Sequence, residues 1–160
     1  MFVLGHVGIG RAIIGSRGRA LPLVPLVFGI LLPDVIDKPL YYLHLSPFIS
    51  CTRTFGHTGL FVLGLVAIAL MTRSRAWAAA AAGVATHGVL DALLDMSSVL
   101  SGGRSSTLVA LAWPVFDTHF FSYSFKTPID QLKQLWNAPV LVCEFIGGLL
   151  LWREYSRPRR

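Results

Sequence analysis

Five apolar segments divide this chain, and they restrict its fold more than any other feature. They cover residues 2–15, 20–36, 57–72, 76–94 and 138–152. Several are shorter than the roughly 20 residues that a helix needs to cross the hydrocarbon core of a bilayer. The pattern therefore predicts an all-α integral membrane bundle of about four to five apolar helices, some of them tilted, partly re-entrant or lying in a locally thinned bilayer.

The stretch before the last apolar segment has a different character. Residues 96–137 are the most polar part of the chain, with Ser-rich and Gly-rich turns. We expect this stretch to form an extramembrane or interfacial loop. The whole chain, residues 1–160, is predicted to be a single membrane-embedded domain.

Composition supports a membrane location. The chain is 54% hydrophobic and 14% charged, which is far from the balance of a soluble domain. Its formal net charge of +6 does not indicate nucleic acid, because the basic residues separate apolar segments instead of forming a stripe with exposed aromatics. We therefore expect membrane lipid as the partner and no nucleic acid, while the oligomeric state is left open.

Arginines mark one end of each apolar segment. The positive-inside rule places these basic residues on the cytoplasmic side, so successive helices alternate in direction. The basic residues are Arg17, Arg19, Arg73, Arg75, Arg153, Arg157, Arg159 and Arg160. A helix rises about 1.5 Å per residue. Measured from the arginines, the histidines and aspartates toward the opposite helix ends therefore lie at one depth, near the non-cytoplasmic face.

The side chains predicted to meet at that level have the chemistry of a metal site. His87 and Asp91 are four residues apart, and Asp34 and Asp37 are three apart, so each pair lies on one helix face. Carboxylates in an apolar chain are costly, and mixed nitrogen and oxygen ligands suit zinc, manganese or iron. The predicted ligands are His6, Asp34, Asp37, His57, His87 and Asp91. Zinc is the expected metal, with manganese or iron as alternatives.

Each of these residues also has an ordinary structural explanation. His6 alone fits a core histidine, His87 and Asp91 fit a hydrogen-bonded pair, and Asp34 with Asp37 fits a helix end beside Lys38. Other residues stay open as additional ligands or as loop surface: Glu144, Asp95, Asp117 and His119. Arg53 and Lys38 flank the predicted site as phosphate-binding or simply solvated charges. Taken together, these ordinary explanations are weaker, because they leave several carboxylates beside a membrane without a cation.

Three motifs in this order resemble one known family. They are Pro33-Asp34-Val35-Ile36-Asp37-Lys38-Pro39, Arg53-Thr54-Phe55-Gly56-His57-Thr58 and His87-Gly88-Val89-Leu90-Asp91, with His6 before them and Trp113-Pro114 after them. Together they resemble the membrane-bound metal-dependent hydrolases of inner membranes, which are distantly similar to zinc-dependent phospholipases C. The resemblance implies hydrolysis of a lipid or other phosphoester, in preference to an acyl ester, with Asp37 as a ligand or general base.

A second function from another class uses the same residues. A membrane transport or assembly protein would employ the acids and histidines as a proton relay or ion path. Such a path needs polar residues through the whole depth of the bilayer, whereas here the predicted cluster occupies one level. The sequence therefore favours a hydrolase site in a prokaryotic inner membrane over a transport path.

Overall fold

The computed structural model describes residues 2–15, 21–45, 51–100, 105–115, 118–120 and 127–156, the side chains of residues 97 and 98 excepted. These parts are all-helical, and they contain no strand, as predicted. The α-helices are α1 (Val3–Gly15), α2 (Leu23–Tyr42), α3 (Gly59–Thr72), α4 (Arg75–Leu100), α5 (Ser106–Ala112), α6 (Pro128–Leu132) and α7 (Ala138–Tyr155). Two short 3-10 turns cover Phe55–His57 and Lys133–Trp136.

Helix α2 is longer than the sequence predicted. It continues through Pro33 and Pro39 to Tyr42, beyond the end of the apolar segment 20–36. An ion pair between Lys38 Nζ and Asp34 Oδ2, at 2.6 Å, spans one helical turn at this place. Such an i,i+4 pair contributes only about 0.2–0.5 kcal/mol, less than the roughly 3 kcal/mol that an interior proline costs, so tertiary packing must hold α2 past the two prolines.

The polar stretch 96–137 also contains more helix than expected. Helix α4 continues to Leu100, and two short helices follow within the described part of the stretch. Ser105 begins α5 by accepting a hydrogen bond from the Leu108 amide, and Thr127 begins α6 in the same way through the Asp130 amide. Both are regular N-caps, so part of the predicted loop is ordered by local signals.

Helix directions bring one end of several helices together. Phe2 lies against Glu144 and Arg11 against Glu154, so α1 and α7 run parallel. His6 lies against Asp91 while Gly10 lies against Thr86, so α1 runs antiparallel to α4. The alternation predicted from the arginines thus places the start of α1 beside the second half of α4.

The distribution of polar and apolar side chains is inverted relative to a soluble domain. Large apolar side chains on several helices face outward, including Val24 at 78% exposed, Met71 at 84% and Trp152 at 69%. The buried side chains include charged and polar ones: His6, Asp37, His57, His87 and Asp91. An apolar exterior around a polar interior suits a lipid environment better than water.

One or two helices in the described residues are long and apolar enough to cross a membrane. In the described ranges, Arg75–Met96 is long and apolar enough to cross a membrane. A second crossing is counted if the pair Pro128–Trp136 and Ala138–Tyr155, bent by 83°, forms one span. Helices α1 and α3 are apolar but shorter. The predicted bundle of four to five spanning helices is therefore not confirmed, although its all-α character is.

Glycines permit the closest helix crossings. A Cβ atom added to Gly147 of α7 would lie 2.1 Å from the Leu4 carbonyl oxygen of α1, and one added to Gly8 would lie 2.0 Å from the Gly147 carbonyl oxygen. Gly29 of α2 and Gly83 of α4 make a similar backbone approach at the second crossing. Small residues at such crossings let membrane helices pack backbone to backbone.

The α1–α7 crossing yields a stability prediction. Gly147→Ala forces the two backbones apart, and overpacking of this kind costs about 1–3 kcal/mol. Gly148→Ala is the matched control, because a Cβ there meets only the flexible end of Leu4 at 3.8 Å. Thermal unfolding in detergent should therefore show a lower midpoint for Gly147→Ala and no loss for Gly148→Ala. Equal midpoints for the two variants would contradict the close crossing.

Candidate metal centre

Four parts of the fold converge on one polar cluster. The first turn of α1 carries His6, the second half of α2 carries Asp34, the 3-10 turn carries His57, and α4 carries His87 and Asp91. The three histidines are buried, each exposing 2% or less of its surface. Asp91 is 3% exposed, and the Asp34 side chain is 21% exposed. The cluster is thus closed on most sides and open near Asp34.

The orientation of His57 is fixed from behind by Asp37. His57 Nδ1 lies 2.7 Å from Asp37 Oδ2, and the same carboxylate accepts hydrogen bonds from the Thr54 and Gly56 amides at 2.7 and 2.9 Å. Because the ionised carboxylate is an acceptor only, His57 Nδ1 carries the proton. The Nε2 atom of a neutral His57 therefore presents its lone pair to the cluster.

His87 is oriented in the same manner by the backbone. Its Nδ1 donates to the Ile30 carbonyl oxygen at 2.7 Å, which again leaves the lone pair on Nε2. The two Nε2 atoms of His57 and His87 lie 3.1 Å apart. Two lone pairs that face each other at this distance repel, so the contact requires a positive charge between them, either a shared proton or a metal ion.

The third histidine, His6, lies at the edge of this group. Its Nδ1 donates to the Phe2 carbonyl oxygen at 3.0 Å, and its ring stacks on His87 with centroids 3.9 Å apart. His6 Nε2 lies 3.1 Å from Asp91 Oδ1. Since Nδ1 already holds a proton, the contact with Asp91 needs a second proton on the ring or a cation.

Two carboxylate oxygens complete a four-atom arrangement around the close histidine pair. Asp34 Oδ1 lies 3.9 Å from His57 Nε2 and 4.0 Å from His87 Nε2. Asp91 Oδ2 lies 4.0 and 3.8 Å from the same two atoms. Ligand atoms of a tetrahedral site with bonds of about 2.1 Å lie about 3.4 Å apart, and these five separations to the histidine nitrogens, 3.1–4.0 Å, are near that value.

The donor set fits a divalent transition metal. Two overlapping groups bring three ligand atoms each within 4.8 Å: His6, Asp34 and His87, and then His57, His87 and Asp91. Imidazole nitrogen with carboxylate oxygen in a tetrahedral arrangement suits zinc. The hydrogen bonds behind His57, His87 and His6 are also those that orient metal-binding histidines in proteins.

Five of the six predicted ligands therefore lie together, and Asp37 has a different place. Asp37 is fully buried, and its two oxygens accept three hydrogen bonds from the loop and from His57. The structure places this carboxylate behind His57, so its oxygens do not point at the four convergent atoms. This geometry gives Asp37 a positioning role toward His57, where the sequence predicted a ligand or general base.

Arg53 was expected beside the site, but its network of carboxylate partners was not predicted from the sequence. Arg53 Nε lies 3.0 Å from Asp91 Oδ2, and its Nη1 donates to both Asp95 oxygens at 2.9 Å. Burial acts to lower the pKa of the Arg53 guanidinium, but the two carboxylates outweigh it and raise that pKa above its usual value. Arg53 is thus a permanent cation beside Asp91. The sequence signal for this network was the spacing of Asp91 and Asp95, which lie one helical turn apart and can therefore share an arginine from elsewhere in the chain.

The other open candidates lie outside the cluster. Glu144 accepts hydrogen bonds from the Phe2, Leu4 and Gly5 amides at 2.8–3.1 Å, so it caps α1 and is not a ligand. Asp95 is held by Arg53 and by the start of α5. His119 is exposed, as the loop-surface interpretation expects. Asp117 lies outside the described residues.

Aromatic side chains border the turn that carries His57. Trp113, from the Trp-Pro element, packs edge-on against Phe55 with ring centroids 5.9 Å apart. Phe120 lies against both rings, at 5.3 Å from each. Phe55 is 42% exposed, so this aromatic group forms an apolar border beside the polar cluster.

Comparison with known proteins identifies a family but no characterised relative. Neither a curated protein nor a solved structure matches the chain. The family described as YdjM inner membrane protein matches residues 1–157, nearly the whole length. This match confirms the membrane location expected from composition, and the chain belongs to the YdjM inner membrane protein family.

Proposed function

We propose that this protein is a membrane-bound metal-dependent hydrolase that acts on a lipid or other phosphoester. One observation carries the proposal: the Nε2 atoms of His57 and His87 face each other at 3.1 Å in a buried site, with both Nδ1 protons held elsewhere. Asp34 Oδ1 lies 3.9 Å from His57 Nε2, and Asp91 Oδ2 lies 3.8 Å from His87 Nε2. A cation between these atoms would relieve the repulsion and balance the carboxylates.

The roles of the residues follow from their contacts. His57, His87, Asp34 and Asp91 would hold the cation, which would lower the pKa of a water molecule and polarise the scissile phosphoryl oxygen. Asp34 has the most exposed side chain of the four, so water and substrate would enter past it.

The surroundings favour a lipid-linked substrate. The exterior of the helices is apolar, and the Phe55 and Trp113 rings border the turn that carries His57. Lys38 and Arg53 provide positive charge beside the cluster, which suits the anionic ester of a phospholipid more than a neutral acyl ester. We place the site toward the non-cytoplasmic face, because the arginine-bearing ends of the helices lie away from it.

The packing next to the cluster argues against the transport alternative. Along α1, α2 and α4 the neighbouring interior consists of Val7, Leu26, Ile30 and Ala79, which form a buried apolar core. An ion or proton path would have to cross this core without polar groups from these side chains. The described arrangement therefore favours a site at one level over a path through the bilayer.

The function is tested by hydrolysis assays on detergent-purified protein supplied with Zn²⁺, Mn²⁺ or Fe²⁺. We expect cation-dependent release of product from bis(p-nitrophenyl) phosphate and from a phospholipid in mixed micelles, with little turnover of p-nitrophenyl acetate. Faster hydrolysis of the acyl ester would contradict the phosphoester assignment. Cation-driven proton or metal uptake into vesicles without any hydrolysis would support the transport alternative instead.

The positioning role of Asp37 yields a separate prediction. In Asp37→Asn, the amide retains the size of the side chain but loses the charge that holds the His57 proton. Changes behind a metal-binding histidine cost roughly 10–100-fold in metal affinity. Competition with a chromogenic chelator should therefore show weakened binding with the same stoichiometry. The exposed Glu154→Gln variant is the control, and complete loss of the cation from folded Asp37→Asn would indicate a ligand instead.

A further inference from the structure

We infer that the site holds a single divalent cation, and that Lys38 and Arg53 are fixed cations that exclude a second one. The inference rests on the proposed metal site and specifies how many ions it takes. The predicted ligand set of three histidines and three aspartates is large enough for two ions, which in two-metal enzymes lie about 3.5–4 Å apart. The contacts of the described residues distinguish the two cases.

The histidine lone pairs support one ion. Both candidate ligand groups depend on His87, and its Nδ1 already donates to the Ile30 carbonyl oxygen. Only Nε2 remains, and one nitrogen lone pair binds one cation. With an ion held by the two histidines, Asp34 Oδ1 and Asp91 Oδ2, the atoms left for a second ion are His6 Nε2 and Asp91 Oδ1, which lie 3.1 Å apart. Two side chains are fewer than the three protein ligands that catalytic zinc sites use.

The two ligating carboxylates are each held by a cationic side chain. Asp34 presents Oδ1 to the histidines, while its Oδ2 accepts from Lys38 Nζ at 2.6 Å. Asp91 Oδ2 faces the same histidines and also accepts from Arg53 Nε at 3.0 Å. An ammonium and a guanidinium are therefore bound to Asp34 Oδ2 and Asp91 Oδ2, two of the oxygens that bridging carboxylates would offer a second metal.

The net charge of the described side chains at the site also supports a single divalent cation. Four carboxylates and two cations are in contact here, which leaves two negative charges when the histidines are neutral. The charged residues are Asp34, Asp37, Asp91, Asp95, Lys38 and Arg53. One divalent cation balances this charge, whereas two would leave a buried positive excess. Uncompensated buried charge is expensive in a protein interior.

The experiment is equilibrium dialysis of the detergent-purified full chain against Zn²⁺ and separately Mn²⁺, with bound metal measured per chain. Wild type is compared with Lys38→Gln, which frees Asp34 Oδ2, and with Lys38→Arg, which keeps the charge. Lys133→Gln is the matched control, because Lys133 pairs with exposed Asp130 at 2.8 Å, away from the site. Circular dichroism and the thermal unfolding midpoint establish that each variant is folded.

We expect one ion per chain in wild type, Lys133→Gln and Lys38→Arg. Lys38→Gln should either take up a second ion or bind the first at least about tenfold more tightly, because a positive charge near the cation has been removed. Two ions in wild type would overturn the inference but leave the proposed hydrolase site in place. Unchanged or weaker binding by folded Lys38→Gln would also overturn it. No bound ion in wild type would remove the proposed function itself.

Discussion

His87→Ala should abolish cation binding and cation-dependent hydrolysis together. His87 Nε2 belongs to both candidate ligand groups and lies 3.1 Å from His57 Nε2, so its removal breaks the centre of the cluster. The loss should exceed the roughly 10–100-fold that changes behind a metal ligand cost. Dialysis against Zn²⁺ and the phosphodiester assay on the same preparations measure both effects.

The neighbouring Thr86→Val variant provides the control for this prediction. Thr86 is buried in the same helix, and its hydroxyl donates to the Ala82 carbonyl oxygen, away from the four converging atoms. Thr86→Val should therefore retain binding and hydrolysis. A second variant, His87→Gln, retains a polar side chain and separates ligand loss from cavity formation. Hydrolysis by folded His87→Ala at the wild-type rate would exclude a catalytic metal at this site.

Removing the metal should lower the stability of the whole bundle. The cluster joins α1, α2, α4 and the turn at His57, and without a cation its lone pairs and carboxylates repel. A ligand present at about 100 times its Kd adds about 2.7 kcal/mol to the free energy of unfolding. For a chain of 160 residues this corresponds to a rise in Tm on the order of 5–10 °C.

This stability prediction is measured by thermal unfolding in detergent, first after treatment with a chelator and then after Zn²⁺ is restored. Ca²⁺ at the same concentration should produce little change, because the imidazole ligands do not suit it. The shift should be absent in His87→Ala. Equal Zn²⁺-dependent shifts in wild type and in this variant would show that the ion binds elsewhere.

The convergence of the site was predictable because it depends on helix direction. Arginines at the helix ends indicated that successive helices alternate in direction. The helical rise of about 1.5 Å per residue then placed His6, Asp34, His57 and His87 at one level. The structure brings these residues together from four separate elements. His87 and Asp91, four residues apart on one helix face, also lie side by side in the cluster.

The role of Asp37 was not predictable from spacing. A separation of three residues puts Asp34 and Asp37 on one face of α2, but it says nothing about what packs there. The returning chain places the Thr54 and Gly56 amides on Asp37, and this loop path has no periodic signal. The same loop places Arg53 against Asp91. The contacts of Asp37 and of Arg53 were therefore not predictable from the sequence.

The length of α2 was underestimated for a related reason. Proline inside a helix normally predicts a break, and Pro39 follows the two aspartates closely. The ion pair between Lys38 and Asp34 stabilises this turn, but the free energy that it contributes depends on burial and on the charges around it. Local signals thus predicted the elements, whereas the contacts that define the site arise from tertiary packing.

Elemental analysis establishes whether the His/Asp cluster binds a divalent transition metal. The measurement compares detergent-purified wild type with a folded His57→Ala, His87→Ala double variant. We expect close to one zinc, manganese or iron ion per wild-type chain and almost none in the variant. A wild-type protein that stays metal-free after incubation with each cation, or a double variant with equal metal content, would contradict it.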